Sequence, residues 1–439
     1  MENSLFQVAM FGKLRVHVLA TEQFKTTTLS LYAGVPLREQ TVTPVSLIAH
    51  IMRRVNARYP RPELFKQKLE ELYGAIFAVD VDKRGTYQVV DVTMDVIADE
   101  YVANDSEKSL LSEALRFLMD CIAYPAVDKH GFIAQYVTEE KRTIEQKLLA
   151  VKNDKAQYAA KRCIETICES HPYRFSAQGI LEQLEHWDGA NLADFYHRWL
   201  EEAIFDLFVV GNTDMEQVLH LLANVESGMF KATEKKMNDY KIATPFSSSK
   251  QEKNVEERMD VGQGKLNVGL TTSISSVHAD YPIFQVYNGV LGGFAHSKLF
   301  TTVREKHSLA YYASSRPVDG VLGMYMIQAG IDVSKKDQAL KIIREQLEEM
   351  RAGNISELEL QQTKALLINS YRALADSPYE LVSYGFRQRF TGSNKLPVQW
   401  LDIIKHVTVA DIRRVAQTVA IDTIYFLRDG GESNDSQTV

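Results

Sequence analysis

The feature that most constrains this chain is a pattern that occurs twice along its 439 residues. The run LFKQKLEELYGAIFAVDVDKRG, beginning at Leu64, realigns with LFTTVREKHSLAYYASSRPVDG, beginning at Leu299. The same offset of 235 residues pairs Phe65 with Phe300, Ala75 with Ala310 and Gly85 with Gly320, with no gap between them. Solenoid units repeat every 20–50 residues or so, so this period is too long for one and is that of a domain. The chain is therefore expected to fold as two homologous domains.

Local patterns say what each copy contains. In Tyr87–Val96 the apolar Val90, Val92, Met94 and Val96 alternate with Asp91, Thr93 and Asp95, the period of two of a half-buried strand. Met324–Val333 is its counterpart. A helix follows in both copies. Leu111, Leu115, Leu118 and Ile122 mark one face in the first, and Ser334-Lys-Lys-Asp337 reads as a capping box before the second. Each half then closes on a helix and a strand: Asn191–Leu200 with Phe205–Val210, and Val409–Val419 with Thr423–Leu427. The expected class is α+β, with helices packed on a largely antiparallel sheet in each domain.

Between the copies, residues 231–258 are charged and serine-rich with no sustained apolar period, and they read as a linker. This gives domains at 1–230 and 259–431 and a polar tail at 432–439. The net charge of −7 offers no polycationic footprint, which disfavours nucleic acid as a partner. No run of about 18 apolar residues occurs, so no membrane span is expected. The first 25 residues lack the pattern of a signal peptide, and the expected compartment is the cytoplasm. Cys121, Cys163 and Cys168 are too few and too irregularly spaced for a disulfide framework or a thiolate metal site, so they are expected to be buried thiols.

The strongest motif lies in the second copy, where Leu291–Tyr311 reads LGGFAHSKLFTTVREKHSLAY. This run resembles the second-domain signature of the pitrilysin/insulinase-type (M16) metallopeptidases, of the form LGG, S-x-L-F, V-R-E and L-A-Y. The duplicated plan and the length extend the resemblance over nearly the whole chain. QGKL at Gln263–Leu266 and EELYGA at Glu70–Ala75 are similar to the non-catalytic, YmfF-type bacterial branch of that family. The resemblance implies two domains forming a half-clamshell.

Active relatives carry H-x-x-E-H on a helix of the first domain. Positions i, i+3 and i+4 share a helix face, so two imidazoles can hold zinc while the glutamate works on its water. The matching segment here is SLIAHIMRRVN. His50 stands at the first histidine position, Arg53 at the glutamate position and Arg54 at the second histidine position. An arginine is always protonated and has no lone pair for a metal. Downstream, VTEEKRTIEQKLL resembles the segment of the third ligand; Glu140 is kept, but Lys147 falls at the ligand position, with Glu145 nearby as an alternative register. The resemblance therefore implies a degenerate zinc site at His50, Arg53, Arg54 and Lys147, with no metal, no cofactor and no catalysis by this chain alone. The remaining histidines offer no pair at i, i+4.

Arg304 and Tyr311 match an arginine and a tyrosine that reach the substrate backbone in active relatives. The implied role is hydrogen bonding to a peptide carbonyl and its oxyanion. With the zinc half lost and this half kept, the expected partners are a zinc-bearing M16 paralogue, forming a heterodimer with a composite site, or a second copy of the chain, together with a peptide. The alternative is a stand-alone peptide-binding or chaperone-like protein, in peptide maturation or elongation factor P modification.

Overall fold

The computed structural model of the protein describes residues 4–102, 109–225, 239–241, 243–246, 251–393 and 395–430. The expected tail at 432–439 and much of the expected linker lie outside them.

The first half runs β1 (Gln7–Phe11), β2 (Leu14–Ala20), β3 (Thr26–Pro36), α1 (Glu39–Met52), α2 (Pro62–Glu71), β4 (Ile76–Arg84), β5 (Tyr87–Ile97) and α3 (Leu110–Ala123). It continues through the short pair β6 (Val127–Asp128) and β7 (Gly131–Phe132), then α4 (Ala134–Ala150), α5 (Lys155–Ile167), α6 (Gly189–Glu202), β8 (Ile204–Gly211) and α7 (Met215–Ala223). The second half runs β9 (Lys253–Arg258), β10 (Gly264–Thr271), α8 (Tyr281–Asn288), β11 (Ala310–Asp319), β12 (Met324–Ile331) and α9 (Lys336–Ala352). It closes with α10 (Glu357–Ala373), α11 (Pro378–Thr391), α12 (Pro397–His406), α13 (Val409–Ala416) and β13 (Ala420–Arg428).

The duplication is written into the sheets. One has the order β1-β2-β8-β3-β5-β4 and the other β11-β12-β10-β13-β9. Read from opposite ends they are the same, with β1 as an extra edge strand in the first. Every pair in both is antiparallel except β2 with β8 and β13 with β9, which are parallel in both copies. The fold is α+β with two copies of one domain plan.

Packing does not divide the chain at the expected boundaries. One compact unit is Met1–Leu148, Phe175–Lys241 and Leu374–Asn394; the other is Leu149–Arg174, Ile242–Ala373 and Lys395–Val439. Each sheet thus carries a helix supplied by the other half of the sequence. In the first unit the core face of the sheet presents Leu29, Leu31, Val90, Val92, Leu207 and Val209 to α1 and α3, all essentially buried. Its opposite face is polar and aromatic, and α11 covers it, with Phe386 stacked on Tyr32 at 3.7 Å between ring centres. Gly385 permits this approach, since a Cβ there would lie 2.5 Å from Phe6 and 2.8 Å from Phe208. In the second unit α5 lays Ala159, Ala160, Cys163 and Ile167 on a cluster containing Met324, Met326, Tyr425 and Leu427. Here the glycine is on the strand: a Cβ on Gly269 of β10 would sit 2.4 Å from Ile167.

Two local expectations change. The last six residues of the expected linker form β9, whose backbone pairs with β13 from Lys253 to Arg258. Gly292 and Gly293 lie in a π-helical turn that extends α8, and a Cβ on Gly292 would lie 2.6 Å from the backbone nitrogen of Ser315. The cap before α9 is Asp332, which accepts from Ser334 N–H at 2.8 Å, so Ser334 does not cap Asp337. All three cysteines are buried thiols outside any disulfide.

Candidate functional site

In the first unit His50, Arg53 and Arg54 occupy the last turn of α1 and the residues closing it. This helix is buried almost along its length, which holds its end rigidly against α4 and the edge of the sheet. His50 is 4% exposed, and its Nδ1 lies 3.3 Å from Glu140 Oε2 on α4. The other Glu140 oxygen accepts from Arg54 Nη1 at 2.7 Å, and the same guanidinium meets Glu139 at 3.0 Å. Lys147, two turns along α4 from Glu140, brings its Nζ to 3.5 Å from His50 Nε2. The residue of α4 that the helix brings to His50 Nε2 is therefore Lys147.

The electrostatics follow from these contacts. Burial works to raise the Glu140 pKa, but hydrogen bonds from His50 and Arg54 outweigh it and hold the carboxyl below its usual range. Arg54 is held above its ordinary value chiefly by the bond to Glu140. Lys147 is pushed down, first by burial and then by the charge of Arg53.

The zinc that active relatives hold at this helix does not fit these residues. Arg54 offers only donors where an imidazole would offer a lone pair, and it is already bound to both neighbouring glutamates. The free face of His50 meets an ammonium group, and Arg53 turns away to the backbone oxygen of Val79. Among the described residues no group of three His, Cys, Asp or Glu side chains is placed to hold a metal. What the arrangement does is electrostatic: a guanidinium neutralises Glu140 and ties α1 to α4.

In the second unit Arg304 and Tyr311 are brought to the surface by a π-helical segment, Phe300–Lys306, and the strand after it. The Arg304 guanidinium stacks over the Phe300 ring at 4.6 Å, and among the described residues no carboxylate forms an ion pair with it. Ser308, at φ +48, makes the turn into β11. There the register skips: Ala310 pairs with Ile331 and Tyr312 with Gly330, leaving Tyr311 as a bulged residue with 75% of its surface exposed. A bulge re-aims the side chain it carries. The sequence reading singled out Tyr311 but held no signal for the bulge. It also did not mark Gln178, whose amide reaches the same sheet edge as Arg53.

An M16 architecture with cations on its metal helix defines a pseudo-peptidase. A profile of the family described as Peptidase M16 inactive domain matches residues 186–367. The chain is 35% identical over 419 residues to the Probable inactive metalloprotease YmfF of Bacillus subtilis (strain 168), covering 95% of this chain and 96% of that one. The chain belongs to the M16 peptidase family, in its non-catalytic YmfF-type branch. A crystal structure of a conserved protein from Enterococcus faecalis V583 superposes with a TM-score of 0.91 at 30% identity, covering 98% of this chain and all of that one, 100%. A segment of 166 residues is 30% identical to the antilisterial bacteriocin subtilosin biosynthesis protein AlbE of Bacillus subtilis (strain 168), over 37% of this chain and 41% of that protein. No helix among the described residues is long and apolar enough to cross a membrane.

Proposed function

We propose that this chain is the non-catalytic subunit of an M16 pair. It binds peptide and lends Arg304 and Tyr311 to a site whose zinc belongs to a paralogous partner. The observation that carries the reading is the bulge at Tyr311, which leaves its side chain 75% exposed on the same unit as Arg304, an exposed guanidinium stacked on Phe300 and paired with no carboxylate among the described residues. Two such donors can bind a peptide carbonyl and stabilise the oxyanion that forms from it. On this reading His50, Arg53, Arg54 and Lys147 are the remains of a zinc site and take no part in the chemistry.

The test is peptide cleavage by the chain mixed with its zinc-bearing paralogue. Changing Arg304→Ala together with Tyr311→Phe is expected to lower kcat/KM about 100-fold, the usual cost of losing oxyanion donors. Because both side chains are exposed, the melting temperature should hardly move. An unchanged rate would rule the composite site out. The resemblance of one segment to AlbE favours a second reading, a stand-alone peptide-binding protein in peptide maturation. Under it, peptide binds with no partner present, and size-exclusion chromatography detects no complex with the paralogue.

A further inference from the structure

Among the described residues strand β4 is the edge of its sheet and pairs with β5 alone. In an antiparallel ladder alternate residues turn both N–H and C=O away from the partner strand. On β4 this outward set includes Val79 and Val81, whose side chains are buried in the core. An open row of such groups invites another strand to add.

Both of these carbonyls are already engaged by side chains of the same unit. Arg53 donates from Nε to Val79 O at 3.1 Å, and its Nη2 engages the same oxygen. Gln178 donates from Nε2 to Val81 O at 2.9 Å. The loop bearing Gln178 is pinned. Buried Gln88 donates to Ala177 O at 2.8 Å and to Val42 O at 3.0 Å, and Ile180 N–H donates to Thr43 Oγ1 at 3.0 Å. Gly179, at φ +101, lies so close to Thr43 that a Cβ would meet its Cα at 3.2 Å. The cap is therefore held in place before any ligand arrives, and the guanidinium makes a charge-assisted bond that a neutral peptide N–H does not match.

We infer that β4 is a self-capped edge, with Arg53 and Gln178 holding the two acceptors through which an extended peptide would join the sheet. The resting chain then excludes peptide from this edge, and any peptide it carries binds elsewhere. Only the choice of peptide as the excluded partner rests on the function proposed above.

The experiment uses the full chain as wild type, Arg53→Met, Gln178→Ala and the double variant. Fluorescein-labelled Val- and Thr-rich peptides of about nine residues, a good strand length and composition, are titrated by anisotropy. Hydrogen exchange is followed at the β4 amides. Freeing both carbonyls is expected to tighten binding about tenfold and to slow exchange at Val79 and Val81 when peptide is added. Wild type should show no such protection. If wild type already protects these amides, the cap is overturned and peptide binding stands. If only the variants bind peptide, the cap stands and the proposed peptide-binding role fails. If no variant gains binding, the cap is overturned, and silence from wild type as well removes both. Self-association of the double variant in place of peptide binding also overturns peptide as the excluded partner. Should Arg53→Met fail to fold, Gln178→Ala alone reports at Val81.

Discussion

Arg54 does more than offer a metal no lone pair. Glu140 is 5% exposed at its side chain and would be costly to keep ionised without a counter-charge, and Arg54 supplies one at 2.7 Å. Arg54→Ala should destabilise the protein by about 1–2 kcal/mol, below the figure for a fully buried pair because the guanidinium is partly exposed. Urea denaturation measures this, and Glu140→Gln added to the same variant should recover much of the loss. The proposed ancestry of the site has its own test. A chain carrying Arg53→Glu, Arg54→His and Lys147→Glu would regain two imidazoles and a carboxylate around one position. It is expected to bind one zinc in a competition titration with a chromogenic chelator while wild type binds none. Failure of this variant, if folded, would mean that Lys147 is not the lost ligand. That Arg53 and Arg54 offer a metal no lone pair was legible in the sequence because spacing on a helix is local. The partners those arginines found were not, since Val79 and Glu140 lie 26 and 86 residues away along the chain.

At the scale of elements, the helices α5 and α11 stand at matching places in the two copies and are fastened in matching ways. On α11, Arg389 Nε donates at 2.8 Å to Asp206, a wholly buried carboxylate of β8 that also meets His17 at 2.7 Å. On α5, Tyr158 and Arg162 donate to Glu257 of β9, at 2.6 and 3.3 Å, and Tyr425 of β13 joins them at 2.6 Å. Burial tends to raise the Glu257 pKa, but the bonds from Tyr158, Tyr425 and Arg162 bring it below its ordinary value. Its folded-state pKa is therefore the lower one. Between the two pKa values the unfolded chain holds more protons, and stability rises with pH. The contribution is complete above the unfolded value of 4.5 and disappears as pH falls through the folded one. Wild type should lose more urea resistance than Glu257→Gln on going from about pH 5 to about pH 3. Parallel behaviour of the two proteins would show that the latch on α5 contributes nothing to stability.

For the whole molecule, each unit borrows a helix from the other half of the sequence, so neither half is a finished domain. A chain of residues 1–241 lacks α11, leaving bare the sheet face on which Tyr32 and Phe208 are now buried at 7% and 0% exposure. It also carries α5 without the β10 and β13 surface that α5 covers. That fragment is expected to show no sharp cooperative melt by circular dichroism. Mixing it with residues 242–439 should restore one. A monomeric first half that melts cooperatively alone would contradict the reciprocal exchange.

The sequence by itself determined the duplication, the α+β class and the non-catalytic character. Each is carried by side-chain identity and by spacing along a single element, which survive without any knowledge of packing. It could not assign the exchanged helices. The apolar stripe of α5 states only that one face is buried, and nothing local to Ala159 or Cys163 names the sheet that buries it. Tertiary structure alone decided that pairing, and with it the bulge that frees Tyr311 and the caps on β4. All three depend on contacts between residues distant along the chain, where strand register and glycine-permitted close approach select the partner.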